Sequence, residues 1–117
     1  MNTLIIINDA PYGTEKAYNA LRIANQLLKD HENSTVNVFL MADAAACGIA
    51  GQKTPNGYYN IERMLTVALR KGAQIKYCGT CADARGLQME WFIEGCERGT
   101  IPELSQWIAE ADKTLTF

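Results

Sequence analysis

Apolar and polar positions alternate along the chain in two different periods. Leu4-Ile5-Ile6-Ile7 is apolar at every residue, as a parallel strand covered on both faces should be. Asn8 to Gly13, with Pro11 and Gly13, reads as a turn. Thr14 is the expected N-cap of a helix to about Lys29, whose stripe Ala17, Leu21, Ala24 and Leu28, with Ala20 and Leu27, has helical spacing. After the polar turn Asn33-Ser34-Thr35 the pattern predicts a second strand, Val36 to Met41, so the chain opens β-α-β.

The small residues Ala44 to Gly51 read as a short helix. Gln52 to Tyr59, with Pro55 and Asn56-Gly57, reads as an irregular loop. Asn60 is placed to cap a helix with the face Ile61, Met64, Leu65, Ala68 and Leu69, stopped by Gly72. A third strand, Ala73 to Tyr77, runs straight into Cys78. Gly79 to Arg85 has the length of a short helical turn closed by Gly86, and Trp91 to Ile93 fits strand and helix equally. Thr100-Ile101-Pro102-Glu103 is a capping-box start for a helix burying Leu104, Trp107, Ile108 and Ala111, before a last strand, Thr114 to Phe117.

Strands alternating with amphipathic helices predict an α/β fold: a three-layer α/β/α sandwich around a mainly parallel sheet, because parallel neighbours need crossover connections. The loops that follow the strands then share the carboxyl edge, where open α/β folds place their ligands. That edge is expected to gather Asp9 and Tyr12 from the first loop, Asp43 from the second and Cys78 from the third.

The length of 117 residues fits one domain, 1–117, at roughly 100 to 200 residues per domain. With 11 Lys+Arg against 13 Asp+Glu the net charge is −2, and the cations are scattered, so nucleic acid and anionic membranes are poor partners. The first residues carry no cationic segment and their apolar run ends at Ile7, which reads as a cytoplasmic protein. In a reducing compartment the 4 cysteines are expected as thiols.

Cys78-Gly79-Thr80-Cys81 is the most specific chemical signal. A cysteine between a strand end and a helix start faces free backbone N–H groups and the positive end of the helix dipole, both of which favour thiolate. Cys78 is therefore the candidate nucleophile, with Arg85 as a nearby cation and Asp83 either opposing it or orienting the Arg. A buried inert pair is the bland alternative. Zinc is a rival reading, but one Cys-x-x-Cys pair with isolated Cys47, Cys96 and His31 does not supply four ligands. The loop Asp9 to Thr14 lacks Gly-x-Gly-x-x-Gly, and Asp9 would repel a phosphate, which argues against a nucleotide or flavin. The lone His31 lies far from any strand end, so Ser-His-Asp hydrolysis is disfavoured. Tyr58-Tyr59 and Trp91-Phe92 are expected at a subunit interface, and Cys47 and Cys96 as packing residues.

Ala10-Pro11-Tyr12-Gly13, Phe39-Leu40-Met41, Asp43-Ala44, Gly51-Gln52-Lys53, Tyr59-Asn60-Ile61, Cys78 with Thr80-Cys81, Asp83, Arg85-Gly86, Ala111-Asp112-Lys113 and Leu115-Thr116-Phe117 together resemble the DsrE/DsrF-like family, in its YchN-like branch. The resemblance implies a flavodoxin-like subunit in a ring-shaped homo-oligomer, hexameric in that branch. It also implies sulfur chemistry. In the related TusD and DsrE sulfur-relay proteins, the cysteine matching Cys78 carries persulfide sulfur between partner proteins, and Arg85-Gly86 matches an Arg-Gly of the same loop. Cys81 departs from those relay proteins, though the YchN-like branch has the same pair. The expectation is a sulfurtransferase-like sulfur carrier with Cys78 as nucleophile, Cys81 as resolving thiol, Arg85 as thiolate-stabilising cation, and Asp9, Tyr12, Asp43 and Asp83 on the rim. It is expected to work without a resident cofactor, between donor and acceptor proteins. A dithiol–disulfide redox protein using Cys78 and Cys81, and a non-catalytic oligomeric binding module, are the alternatives.

Overall fold

The computed structural model describes residues 1–56 and 59–117. Five strands form one parallel sheet: β1 (Asn2–Ile7), β2 (Thr35–Leu40), β3 (Gln74–Cys78), β4 (Cys96–Gly99) and β5 (Lys113–Thr116), in the order β4-β3-β2-β1-β5. Four α-helices connect them: α1 (Lys16–Asp30), α2 (Ile61–Arg70), α3 (Gly79–Ala84) and α4 (Ile101–Glu110). Two 3₁₀ segments, Ala42–Gly48 and Met89–Trp91, complete the described elements.

The layering follows from the handedness of the connections. The chain steps from β1 to β4 in one direction, then jumps back to pair β5 with the other side of β1. Parallel crossovers are right-handed, so the three forward connections lie on one face and the reversed one lies on the other. Ile5, Ile7, Val38, Leu40, Ile75 and Tyr77 accordingly pack with Leu21 of α1 and Leu65 of α2. Leu4, Ile6, Phe39 and Cys78 face the opposite way and meet Leu104 and Trp107 of α4. This is the α/β/α sandwich expected from the sequence, with one layer supplied by a single helix.

Several local expectations need correction. α1 starts at Lys16 behind Glu15, and Thr14 turns aside: its hydroxyl donates to Asp9 (3.1 Å) while accepting from the Lys16 N–H (3.3 Å). Asn60 does cap α2, accepting from the Arg63 N–H at 3.0 Å, and Thr100 with Glu103 closes the capping box on α4. α4 buries Leu104 and half-buries Trp107, but Ile108 is 46% exposed, because one face of ten residues suffices to cover the strip of sheet beneath it. The small-residue helix is 3₁₀ and begins at Ala42. β4 was not anticipated at all: Cys96-Glu97-Arg98-Gly99 has no apolar alternation, since only Cys96 and Gly99 are buried.

The aromatic pairs also resolve differently from expectation. Phe92 stacks on Tyr77 at 3.6 Å between ring centroids and packs half-buried against the core, while Trp91 beside it is 48% exposed. Tyr59 stacks on Tyr18 of α1, and Tyr58 lies outside the described residues. Trp91 is the more exposed of the two, and Phe92 is half-buried against Tyr77.

Candidate functional site

Cys78 is at once the last residue of β3 and the N-cap of α3. With extended backbone (φ −65°, ψ 114°) it turns its sulfur back over the first helical turn, where the Cys81 N–H donates to Sγ at 3.3 Å. A thiolate here does what a serine or aspartate oxygen does at other helix starts: it satisfies a free N–H. The Thr80 hydroxyl also lies 3.3 Å from Sγ.

These contacts set the acidity of the two thiols in opposite directions. Burial pushes the Cys78 thiol up, for it is only 2% exposed. Hydrogen bonds from the side chains and backbone N–H groups of Cys81 and Thr80 outweigh that and bring it below the ordinary cysteine value. Cys81 is raised, first by its own burial and then by serving as hydrogen-bond partner to Cys78, against which the Ala42 N–H and the more distant Arg85 charge act in the other direction. Of the two sulfurs, Cys78 is the one that gives up its proton first.

Ala42, which follows β2, holds φ at +52°, a left-handed conformation costing about 1–2 kcal/mol in a residue with a side chain. It sits where the chain leaves the sheet beside Cys81. The next residue, Asp43, accepts from Arg85 Nε at 2.8 Å, and Arg85 Nη1 donates to the Cys81 carbonyl at 3.1 Å. Arg85 thus ties the loop after β2 to the end of α3, and its charge is felt at Cys81, not among the influences on Cys78.

The remaining rim residues stand apart from the sulfurs. Asp83 neither opposes Cys78 nor orients Arg85. It receives two hydrogen bonds from Arg98 (3.0 and 2.7 Å), which hold its carboxyl below the usual range. Asp9 is occupied by Thr14 and faces Lys16 at 3.8 Å. Tyr12 links two elements: its hydroxyl donates to Gln52 Oε1 (2.6 Å) and accepts from the Ile61 N–H (3.1 Å) at the start of α2. The structure therefore brings together Cys78, Cys81, Arg85 and Asp43, and leaves Asp9 and Tyr12 to shape the neighbouring loop. Among the described residues no three of His, Cys, Asp and Glu come together as metal ligands.

Thr80 and Arg98 were missed in the sequence. Thr80 carried a readable signal, a hydroxyl two residues beyond a cysteine at a helix start. Arg98 carried none, because its strand was invisible.

A thiolate-favouring cysteine at the carboxyl end of β3 in a five-stranded parallel sheet defines a small cysteine-bearing α/β protein. The DsrE/DsrF-like family model matches residues 1–117, and the chain belongs to that family. It is 44% identical over 114 residues to Protein YchN of Escherichia coli (strain K12), covering 97% of each chain. The crystal structure of the ychN protein from E. coli superposes with a TM-score of 0.92 at 43% identity over the whole of both chains. The protein MTH1491 from Methanobacterium thermoautotrophicum shares the fold, with a TM-score of 0.79 at 11% identity over 99% and 97% of the two chains.

Proposed function

We propose that the protein carries sulfur as a persulfide on Cys78. The observation that supports this most is the pair of donors on that sulfur, the Cys81 N–H and the Thr80 hydroxyl, opposite a Cys81 thiol held protonated. In the loading step the Cys78 thiolate attacks the outer sulfur of a donor persulfide. The donor's S–S bond breaks, a new S–S bond forms on Cys78, and the donor's inner sulfur leaves as thiolate. Unloading onto an acceptor thiolate is the same exchange in reverse.

A carrier must hold its cargo, and the weakened acidity of Cys81 serves that end. As a thiol, Cys81 donates to the inner sulfur; as a thiolate it would attack that sulfur, release hydrosulfide and leave a Cys78–Cys81 disulfide. The closeness of the two sulfurs supports a dithiol–disulfide redox protein as the second reading. Access requires a small movement, since Cys78 is buried. We further read the exposed Trp91 as part of a contact between copies in a closed homo-oligomer, a hexamer by family resemblance, working in the cytoplasm. No described helix is long and apolar enough to cross a membrane. Light scattering on a sizing column tests the assembly: a particle that stays near the monomer mass of 12.9 kDa at every concentration overturns it.

The mass of the intact protein after incubation with a persulfide donor tests the function. A gain of about 32 Da, lost in Cys78→Ser and longer-lived in Cys81→Ser, is the expected result. A loss of about 2 Da without any gain selects the redox reading, and no change under any donor favours the binding module.

A further inference from the structure

Arg98 stands one strand away from the cysteine loop, paired with Tyr77 across the β3–β4 ladder as Gly99 is paired with Cys78. Its guanidinium reaches over to α3 and grips it at both ends. Nη1 and Nη2 donate in parallel to the two carboxylate oxygens of Asp83 in the last turn, at 3.0 and 2.7 Å. On the way the same group lies flat against Gly79, the first residue of the helix: a Cβ at Gly79 would stand 2.6 Å from both Cζ and Nε of Arg98. Only a glycine allows that approach.

A helix of 6 residues gains too little from its own hydrogen bonds to fix its orientation, so tertiary contacts must do so. The donors on Cys78 come from this helix's first turn, and a hydrogen bond weakens steeply with distance and angle. We propose that Arg98 is a positioning residue for Cys78, clamping α3 through Gly79 and Asp83 so that the Cys81 N–H and the Thr80 hydroxyl stay on the sulfur. The inference rests on Cys78 being the reacting thiol. The clamp acts through geometry, because the Arg98 charge is matched by Asp83 and is not among the influences on Cys78. A two-pronged Arg–carboxylate pair fixes direction as well as distance, which a lysine cannot do.

The test is the pH profile of iodoacetamide alkylation at Cys78 in the full chain, with the modified peptide mapped by mass spectrometry. In Arg98→Ala, Arg98→Lys and Asp83→Asn the midpoint is expected to move up, and the rate at neutral pH to fall about threefold to tenfold. Retained protection of Cys47 and Cys96 shows that each variant is folded. Gly79→Ala is expected to shift the midpoint in the unaltered background and to add little in Arg98→Ala, where the added methyl meets no guanidinium. Folded Arg98→Ala and Asp83→Asn variants with the unaltered midpoint overturn the clamp, as does full rescue by Arg98→Lys, which would show that charge alone matters. If the unaltered protein's own Cys78 titrates like an ordinary cysteine, the reading of the site fails first, and that outcome is distinct from failure of the clamp.

Discussion

The two cysteine pairs of this small fold occupy opposite surroundings. Cys78 and Cys81 lie where a strand becomes a helix, with hydrogen-bond donors of Thr80 and Cys81 aimed at one sulfur. Cys47 and Cys96 lie against the other face of the sheet. Cys47 is fully buried, and its thiol donates to the Asp9 carbonyl at 3.9 Å. Cys96 sits against Gly48 and Phe92. Burial pushes both of these thiols up to about 12, helped at Cys47 by Cys96 and at Cys96 by Glu97. Cys78, Cys47 and Cys96 are all buried while Cys81 is half-buried, so exposure alone does not set Cys78 apart from the inert pair. What separates them is the supply of N–H and O–H groups, which a helix start provides and a closed apolar layer does not.

The most direct attempt to break this contrast is competitive labelling. At neutral pH the native protein should take up iodoacetamide at Cys78 at least about 1,000-fold faster than at Cys47 or Cys96, and all four should react alike in denaturant. Comparable native rates at Cys78 and Cys96 would erase the difference between the pairs.

Stability at high pH probes the inert pair on its own. A thiol whose folded value lies above its unfolded value stabilises the fold fully below the unfolded value, and that stabilisation drains away as pH rises toward the folded value. For Cys47 and Cys96 the window runs from 9.0 to about 12. Unfolding free energy should therefore fall there by up to about 1.4 kcal/mol per pH unit for each thiol. Denaturant titrations of the unaltered protein and of Cys96→Ala check this; the slope should be shallower in the variant, and equal slopes would count against a buried thiol at Cys96.

Packing around the same pair gives a smaller effect. A Cβ on Gly48 would lie 2.8 Å from Cys96 Sγ and 3.0 Å from Phe92, so Gly48→Ala should cost about 1–3 kcal/mol in denaturant melts. Cys96→Ala in the same chain should recover part of that loss. At the reactive pair, Thr80→Val sharpens the comparison most finely. It removes one donor of several from Cys78, and the alkylation midpoint should move up with a loss of about threefold in neutral rate, leaving stability nearly unchanged.

Much of the fold was legible because it is written in apolar spacing. The all-apolar Leu4–Ile7, the stripe on α1 and the Asn60 and Thr100 caps each signal an element locally. Cys78 was legible for the same reason: a strand that stops at a cysteine, followed by a helix, specifies its own chemistry. β4 was not, since a strand at the sheet edge with Glu97 and Arg98 exposed has no pattern to read. Arg98 went unseen with it, and so the pairing of Asp83 fell to the wrong arginine. Residues that act across strands are fixed by register, and register is not a local property of the chain.

The reversed crossover that puts α4 alone on its face also sets an order of assembly. β1, β2, β3 and their helices are joined by contacts near in sequence, whereas β5 returns to β1 from the far end, as in the bond from the Asn2 N–H to Asp112 across 110 residues. Contacts so distant in sequence form late, because the intervening chain must first be ordered. α4 travels with β5, and Leu4, Ile6, Phe39 and Cys78 are the side chains it comes to cover. Until it arrives they stand on an open sheet. During folding, and in any later opening of that last unit, the sulfur that the finished fold keeps under cover is its most vulnerable atom.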